Sequence, residues 1–185
     1  DVVFGGGTKF FTVAGRSDGN DLLAVIKENY QFVSNKAEMD GVKTGKVWGM
    51  FADSALAFDF DRDTQKEPSL AEMTQKAIEI LSQDEDGFFL MVESSKTDWA
   101  AHANDPIGLV SDFLAFDQAV GVALAFAKQN GDTVVIAATD HGNSGISIGN
   151  GATSNNYDML PLSAFIDPLK KASLTGEGLE KVLTA

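Results

Sequence analysis

Two short apolar runs, each ending at a carboxylate, constrain the fold of this chain more than any other feature. Residues 88–92 (FFLMV) stop at Glu93, and residues 133–139 (TVVIAAT) stop at Asp140. Gly87 and the turn signal Asn130-Gly131-Asp132 precede them, and each run is apolar at consecutive positions, which predicts strands buried on both faces. Between them, over 106–128, Val110, Phe113, Leu114, Val120, Leu124 and Ala127 recur with a helical period. Strand, helix, strand predicts a right-handed parallel crossover, and so an α/β fold with a largely parallel sheet flanked by helices. Ligands of such sheets gather outside the carboxyl ends of the strands, so Glu93 and Asp140 are expected to face one site.

The only two histidines fall in the same two places. Asp98 and His102 follow Glu93, and His141 follows Asp140 directly. A four-residue spacing on a helical turn puts Asp98 and His102 on one face. Imidazoles mixed with carboxylates suit zinc, and a carboxylate beyond one ion's needs suits a harder neighbour such as magnesium. An Asp-His dipeptide or a D-x-x-x-H pair alone is ordinary surface decoration; together they account for every imidazole in the chain.

The remaining segments fit the same class. Ser69 and Glu72, after Pro68, form a capping box for a helix over 69–82 with an apolar stripe at Leu70, Met73, Ala77, Ile80 and Leu81. A short helix is expected at 20–29, strands near the start and at 46–51, a long glycine-, serine- and asparagine-rich loop at 142–156, and a strand or turn followed by short helices at 160–185. Gly5-Gly6-Gly7 lacks a following G-K-[ST] and reads as a tight strand exit rather than a nucleotide loop. At 185 residues and 44% hydrophobic content there is material for one sizeable core, hence one α/β domain over 1–185, with 142–185 as loop and peripheral segment. No cysteine is present, which excludes disulfides and thiolate metal sites. No run of membrane-span length is expected, and Asp59, Asp61 and Asp63 read as solvated surface. A net charge of −13 excludes nucleic acid as a partner and repels phosphate esters too, so any phosphate chemistry needs local cations.

Residues 88–106 (FFLMVESSKTDWAAHANDP), 116–120 (FDQAV) and 133–142 (TVVIAATDHG) closely resemble the C-terminal half of the catalytic domain of bacterial alkaline phosphatases. DVVFGGG at 1–7, FADS at 51–54 and PSLAEMTQKAIEIL at 68–81 extend the resemblance in the same order. The related metal-dependent phosphoglycerate mutases, sulfatases and phosphodiesterases lack these segments in this arrangement. The resemblance implies that Glu93 is a magnesium ligand, that Asp98 and His102 hold one zinc, and that Asp140 and His141 hold a second zinc nearest the nucleophile. It implies hydrolysis of phosphate monoesters through a phosphoserine, with the metals clamping an in-line displacement.

The departures from the family are equally specific. Its nucleophilic serine, a metal-bridging aspartate and a phosphate-clamping arginine precede the Gly-rich stretch, and a further zinc histidine follows the Asp-His pair; none of these is in this chain. Asp53-Ser54-Ala55 echoes the nucleophile's setting but falls in the FADS segment and reads as structural. Trp99 stands where some relatives carry lysine or histidine; with one donor and no charge it suits a weak substrate-binding role at the rim. The chain opens inside an apparent strand, so a fragment of a longer, exported enzyme is expected: periplasmic or extracellular, inactive in isolation, low in zinc and magnesium occupancy, and self-associating or bound to an N-terminal portion. The alternative is a non-catalytic metal-binding or structural domain.

Overall fold

The computed structural model describes residues 1–185 and divides into two compact units. The first holds Asp1–Ala57, Arg62–Glu93 and Ala115–Ile136. The second holds Phe58–Asp61, Ser94–Leu114 and Ala137–Ala185.

In the first unit a three-stranded parallel sheet is built from β1 (Val2–Gly5), β2 (Gln31–Val33) and β3 (Val47–Met50), in the order β1-β3-β2. Register pairs Val3 with Trp48 and Phe32 with Trp48. Parallel neighbours cannot be joined by a hairpin, and the connections here are α1 (Leu22–Asn29) and α2 (Lys36–Gly41). Central β3 is the most buried strand, with Val47 fully enclosed. Around it gather Val33, Met39, Val42, Met73 and Ile80, edged by Phe4, Phe51, Leu56 and Leu70. Each fully buried side chain of this kind is worth about 1.5–3 kcal/mol of transfer free energy.

Helix α3 (Leu70–Leu81) supplies Met73 and Ile80 and begins as its sequence predicts. The Glu72 N–H donates to Ser69 Oγ at 3.2 Å and the Ser69 N–H to Glu72 Oε2 at 2.8 Å. Lys36 Nζ meets Glu72 Oε1 at 2.6 Å, tying α2 to α3. The glycines after β1 make the tight exit expected of them. A Cβ on Gly6 would lie 2.2 Å from the Ser54 carbonyl oxygen, and Gly7 has φ +99°, a conformation that side chains disfavour. The Gly7 and Thr8 amides both donate to the Ala52 carbonyl, so residues 52–54 serve here as backbone packing.

The two apolar runs correct the sequence expectation. Neither 88–92 nor 133–139 joins the sheet. Phe89 is 89% exposed and Ile136 86%, with Met91 and Val134 similarly bare, while Phe88, Leu90, Val92 and Val135 are half-buried. An apolar run becomes a buried strand only where neighbours complete its ladder and layers cover both faces; neither run has a ladder partner.

The helix between the runs is longer than expected. Helix α5 (Pro106–Asn130) has 25 residues, about 37 Å at 1.5 Å per residue, and is long and apolar enough to cross a membrane by length and composition. That corrects the expectation that no stretch reaches such a length. Most of its apolar window is exposed, Val110, Phe113, Leu114 and Leu124 included; Ala115 and Ala119 are buried, and the buried Asp112 accepts the Asp59 N–H at 3.2 Å. Burial holds the Asp112 carboxyl above the ordinary aspartate range.

In the second unit, α4 (Ser95–His102) is followed by the first turns of α5, then α6 (Ser163–Leu169) and α7 (Gly176–Thr184). No strand precedes α6, so the 160–185 stretch resolves as turns and helices. Asp105 caps α5 through Oδ1, which accepts the Ile107 and Gly108 amides, while Oδ2 accepts the Gly176 amide at 2.7 Å. Asp61 accepts both the amide and the hydroxyl of Thr175, the N-cap of α7. Asp61 is therefore a structural anchor, not the solvated surface its sequence context suggests.

Candidate metal centre

Asp98 and His102 lie one turn apart on α4, as their spacing predicts, with His102 Nε2 3.6 Å from Asp98 Oδ1. The same carboxylate oxygen is approached from a distant part of the chain. His141 Nε2 lies 3.9 Å from Asp98 Oδ1 and 3.2 Å from Asp140 Oδ2. Asp98, His102, Asp140 and His141 thus form a linked run of contacts within the second unit. All four are solvent-accessible, from 38% for the Asp98 side chain to 85% for Asp140.

Local hydrogen bonds aim the second pair. His141 Nδ1 lies 3.2 Å from the Gly142 carbonyl oxygen. That oxygen can only accept, so Nδ1 is the donor of this bond and Nε2 is the ring nitrogen turned toward the carboxylates. Thr139 Oγ1 donates to the His141 carbonyl at 2.7 Å, closing the turn.

Asn143, which its sequence places only in a glycine-, serine- and asparagine-rich loop, ties the segment after His141 to Asp98. Its side-chain Nδ2 donates to Asp98 Oδ1 at 2.7 Å and to the Asp98 carbonyl at 3.2 Å. Both partners are acceptors, which fixes the amide orientation. Its signal in the sequence is slight: an asparagine two places after the Asp-His pair. The turn it opens needs Ser144 at φ +51° and Gly145 at φ +62°, and Asn143 is half-buried where its neighbours are exposed.

Glu93 is exposed and belongs to the first unit. Trp99 is 47% exposed, with Lys96 Nζ 4.4 Å from its ring centroid. The donor types, two imidazoles and two carboxylates, fit zinc. They meet in pairs, however, and no set of three His, Asp or Glu side chains is disposed to hold one ion.

The family model for alkaline phosphatase matches residues 1–173. This chain belongs to the alkaline phosphatase family. It is 42% identical over 178 residues to alkaline phosphatase 4 of Bacillus subtilis, covering 96% of this chain and 38% of that one. To the alkaline phosphatase of Escherichia coli K12 it is 35% identical over 170 residues, covering 76% of this chain and 36% of that one. Among solved structures it superposes on Thermus thermophilus alkaline phosphatase with a TM-score of 0.65 at 36% identity, covering 70% of this chain and 28% of that one. The enzyme from the Antarctic bacterium TAB5 gives 0.61 at 34% identity, with 71% and 38% covered. The chain therefore spans under two-fifths of the length of these relatives, and the α/β class with a parallel sheet read from the sequence is that of its structural neighbours.

Proposed function

We propose that this chain contributes the metal-holding part of an alkaline phosphatase that hydrolyses phosphate monoesters through a phosphoserine. One observation carries the reading: Asp98 Oδ1 has Nε2 of His102 and of His141 at 3.6 and 3.9 Å, although the two histidines come from separate segments. In this reading Asp98 and His102 hold one zinc, Asp140 and His141 a second, and Glu93 a magnesium. Bound there, the cations would supply positive charge against the phosphoryl group and the leaving oxygen and make water or serine nucleophilic.

The chain's own residues orient and hold. Asn143 fixes the Asp98 carboxylate, the Gly142 carbonyl sets the His141 tautomer, and Trp99 lines the rim as a weak substrate contact. A catalytic zinc takes about three protein ligands, and the pairs offer two each, so the remaining donors and the nucleophile come from outside these residues. Positioned metal ligands without a nucleophile give no covalent chemistry, and the chain by itself is inactive. The substrate is a phosphate monoester rather than a nucleic acid, since a net charge of −13 repels an extended phosphate backbone while a local cation can still draw in a small ester. The location that goes with this reading is periplasmic or extracellular.

Two measurements on the purified chain test it. With saturating zinc and magnesium, p-nitrophenyl phosphate should show no turnover; turnover that persists in Ser54→Ala overturns this account of the nucleophile. Calorimetric zinc titration should show binding weaker than submicromolar that is lost in His141→Ala. Submicromolar binding unaffected by that substitution overturns the ligand assignment.

A further inference from the structure

The helix that carries Asp98 and His102 has little of its own to hold it in place. Helix α4 is eight residues long, its N-cap Ser94 makes no side-chain capping bond, and its sequence SKTDWAAH has no apolar stripe. A helix this short is marginal in water, so its rotation about its own axis must be set by contacts with other elements.

One side chain dominates those contacts. Lys96 is only 8% exposed. Its Nζ lies 4.2 Å from the Phe58 ring centroid and 4.4 Å from that of Trp99, and donates to Glu177 Oε2 at 3.0 Å. Ala100, one turn on, is fully buried and packs where a Cβ on Gly108 would meet it at 3.2 Å. At about 100° per residue, Asp98 and His102 lie roughly 200° and 240° around the helix from Lys96. Ala101, about 140° from Lys96, is buried as well, so Asp98 and His102 lie on the side of this short cylinder that the buried residues leave open. Fixing Lys96 fixes where the ligand pair points.

Glu177, the partner, sits in the first turn of α7, outside the 1–173 stretch that the family model matches. It is itself well anchored. Lys181 Nζ bonds its other oxygen at 2.6 Å, and the start of α7 is held by Asp61 through Thr175 and by Asp105 through Gly176. A buried ammonium is costly unless paired and hydrogen-bonded, so Lys96 can occupy this place only while Glu177 is docked.

We infer that the Lys96–Glu177 pair is a positioning device. The C-terminal helix α7, through one buried ammonium wedged between Phe58 and Trp99, sets the rotation of α4, and with it the Trp99 indole and the Asp98–His102 pair. The consequence for the ligand pair rests on the metal-holding reading above; the consequence for Trp99 does not.

The experiment uses the full chain in a Trp48→Phe background, so that Trp99 is the sole tryptophan and is excited selectively over the tyrosines. Lys96→Met removes the charge at near-constant length, Glu177→Gln removes the anchoring charge isosterically, Lys96→Arg restores a cation, and Lys36→Met breaks a comparable pair in the other unit. Lys96→Met and Glu177→Gln should both shift Trp99 emission to longer wavelength and increase its quenching by acrylamide, and should weaken zinc binding about tenfold, the usual scale for an outer-shell partner. Lys96→Arg should recover both signals, and Lys36→Met should move neither. Trp99 emission that stays at the wild-type position in Glu177→Gln, which is mild enough to keep the fold, overturns the proposal. A shifted Trp99 with zinc affinity within twofold of wild type reduces the pair to a structural anchor and overturns the positioning role. His102→Ala is the separate control: zinc affinity that survives it shows that the metal reading has failed, while the Trp99 signals still decide the packing of α4.

Discussion

Asn143 ties the segment after His141 to Asp98 with a neutral amide, and on the metal-holding reading proposed above it orients one of the ligands. The carboxylate of Asp98 has about four lone-pair sites, and the Asn143 bond at 2.7 Å occupies one of them, leaving the rest for a cation. Asn143→Leu keeps the volume and removes the donor. Zinc affinity is expected to fall about tenfold, with the melting temperature unchanged, because a group that orients a metal ligand is worth more to the ion than to the fold. Competition against a chromophoric chelator measures it, and unchanged affinity would show that the Asp98 carboxylate holds its position without Asn143. Glu177 illustrates a different balance at the same scale. Burial pushes its carboxyl up, but the hydrogen bonds from Lys181 and Lys96 outweigh it and leave it below the ordinary glutamate range.

Among the elements, α3 and α4 are opposites. Helix α3 is specified locally by its capping box and apolar stripe, and Ser69→Ala should cost about 1 kcal/mol in denaturant unfolding, the typical loss of an N-cap side chain. Burial also pushes the Glu72 carboxyl up, but the Lys36 ammonium and the Ser69 amide bring it below its ordinary value of 4.5. A depressed folded-state value means that this contribution is present above pH 4.5 and is lost as the pH falls through the folded value. Glu72→Gln should therefore flatten the acid limb of the stability curve below that pH; an acid limb identical to wild type would remove Glu72 from the account. Helix α4, by contrast, takes its placement from α5 and α7, which is why a sequence window around Asp98 predicts the helical spacing but not the buried lysine.

For the whole molecule the uncovered apolar side chains matter most. Phe89, Met91, Val134 and Ile136, all in the first unit, are between 72% and 89% exposed. Large bare apolar groups in such number drive association. Sedimentation should show concentration-dependent self-association of the chain at neutral pH, reduced toward monomer by Phe89→Ser combined with Ile136→Ser. A monomer at every concentration would show that these side chains find cover within the chain in solution. The net charge of −13 opposes association at low salt, so added salt should strengthen it.

What the residues determine by themselves is local and periodic. The capping box at Ser69 and Glu72, the glycines that only a tight exit admits at Gly6 and Gly7, the helical spacing of Asp98 and His102, and the family signature at residues 88–106 and 133–142 are all written in short windows, because capping, turn geometry and helix periodicity act over a few residues. What the tertiary structure decided lies in pairings distant along the chain. Residues 88–92 and 133–139 have the composition of buried strands yet make no ladder, because a strand is defined by its neighbours and not by its own sequence. The approach of His141 to Asp98 depends on an amide 45 residues from its acceptor, and the placement of α4 on a lysine 81 residues from its carboxylate. No window spans those separations, and only the folded chain closes them.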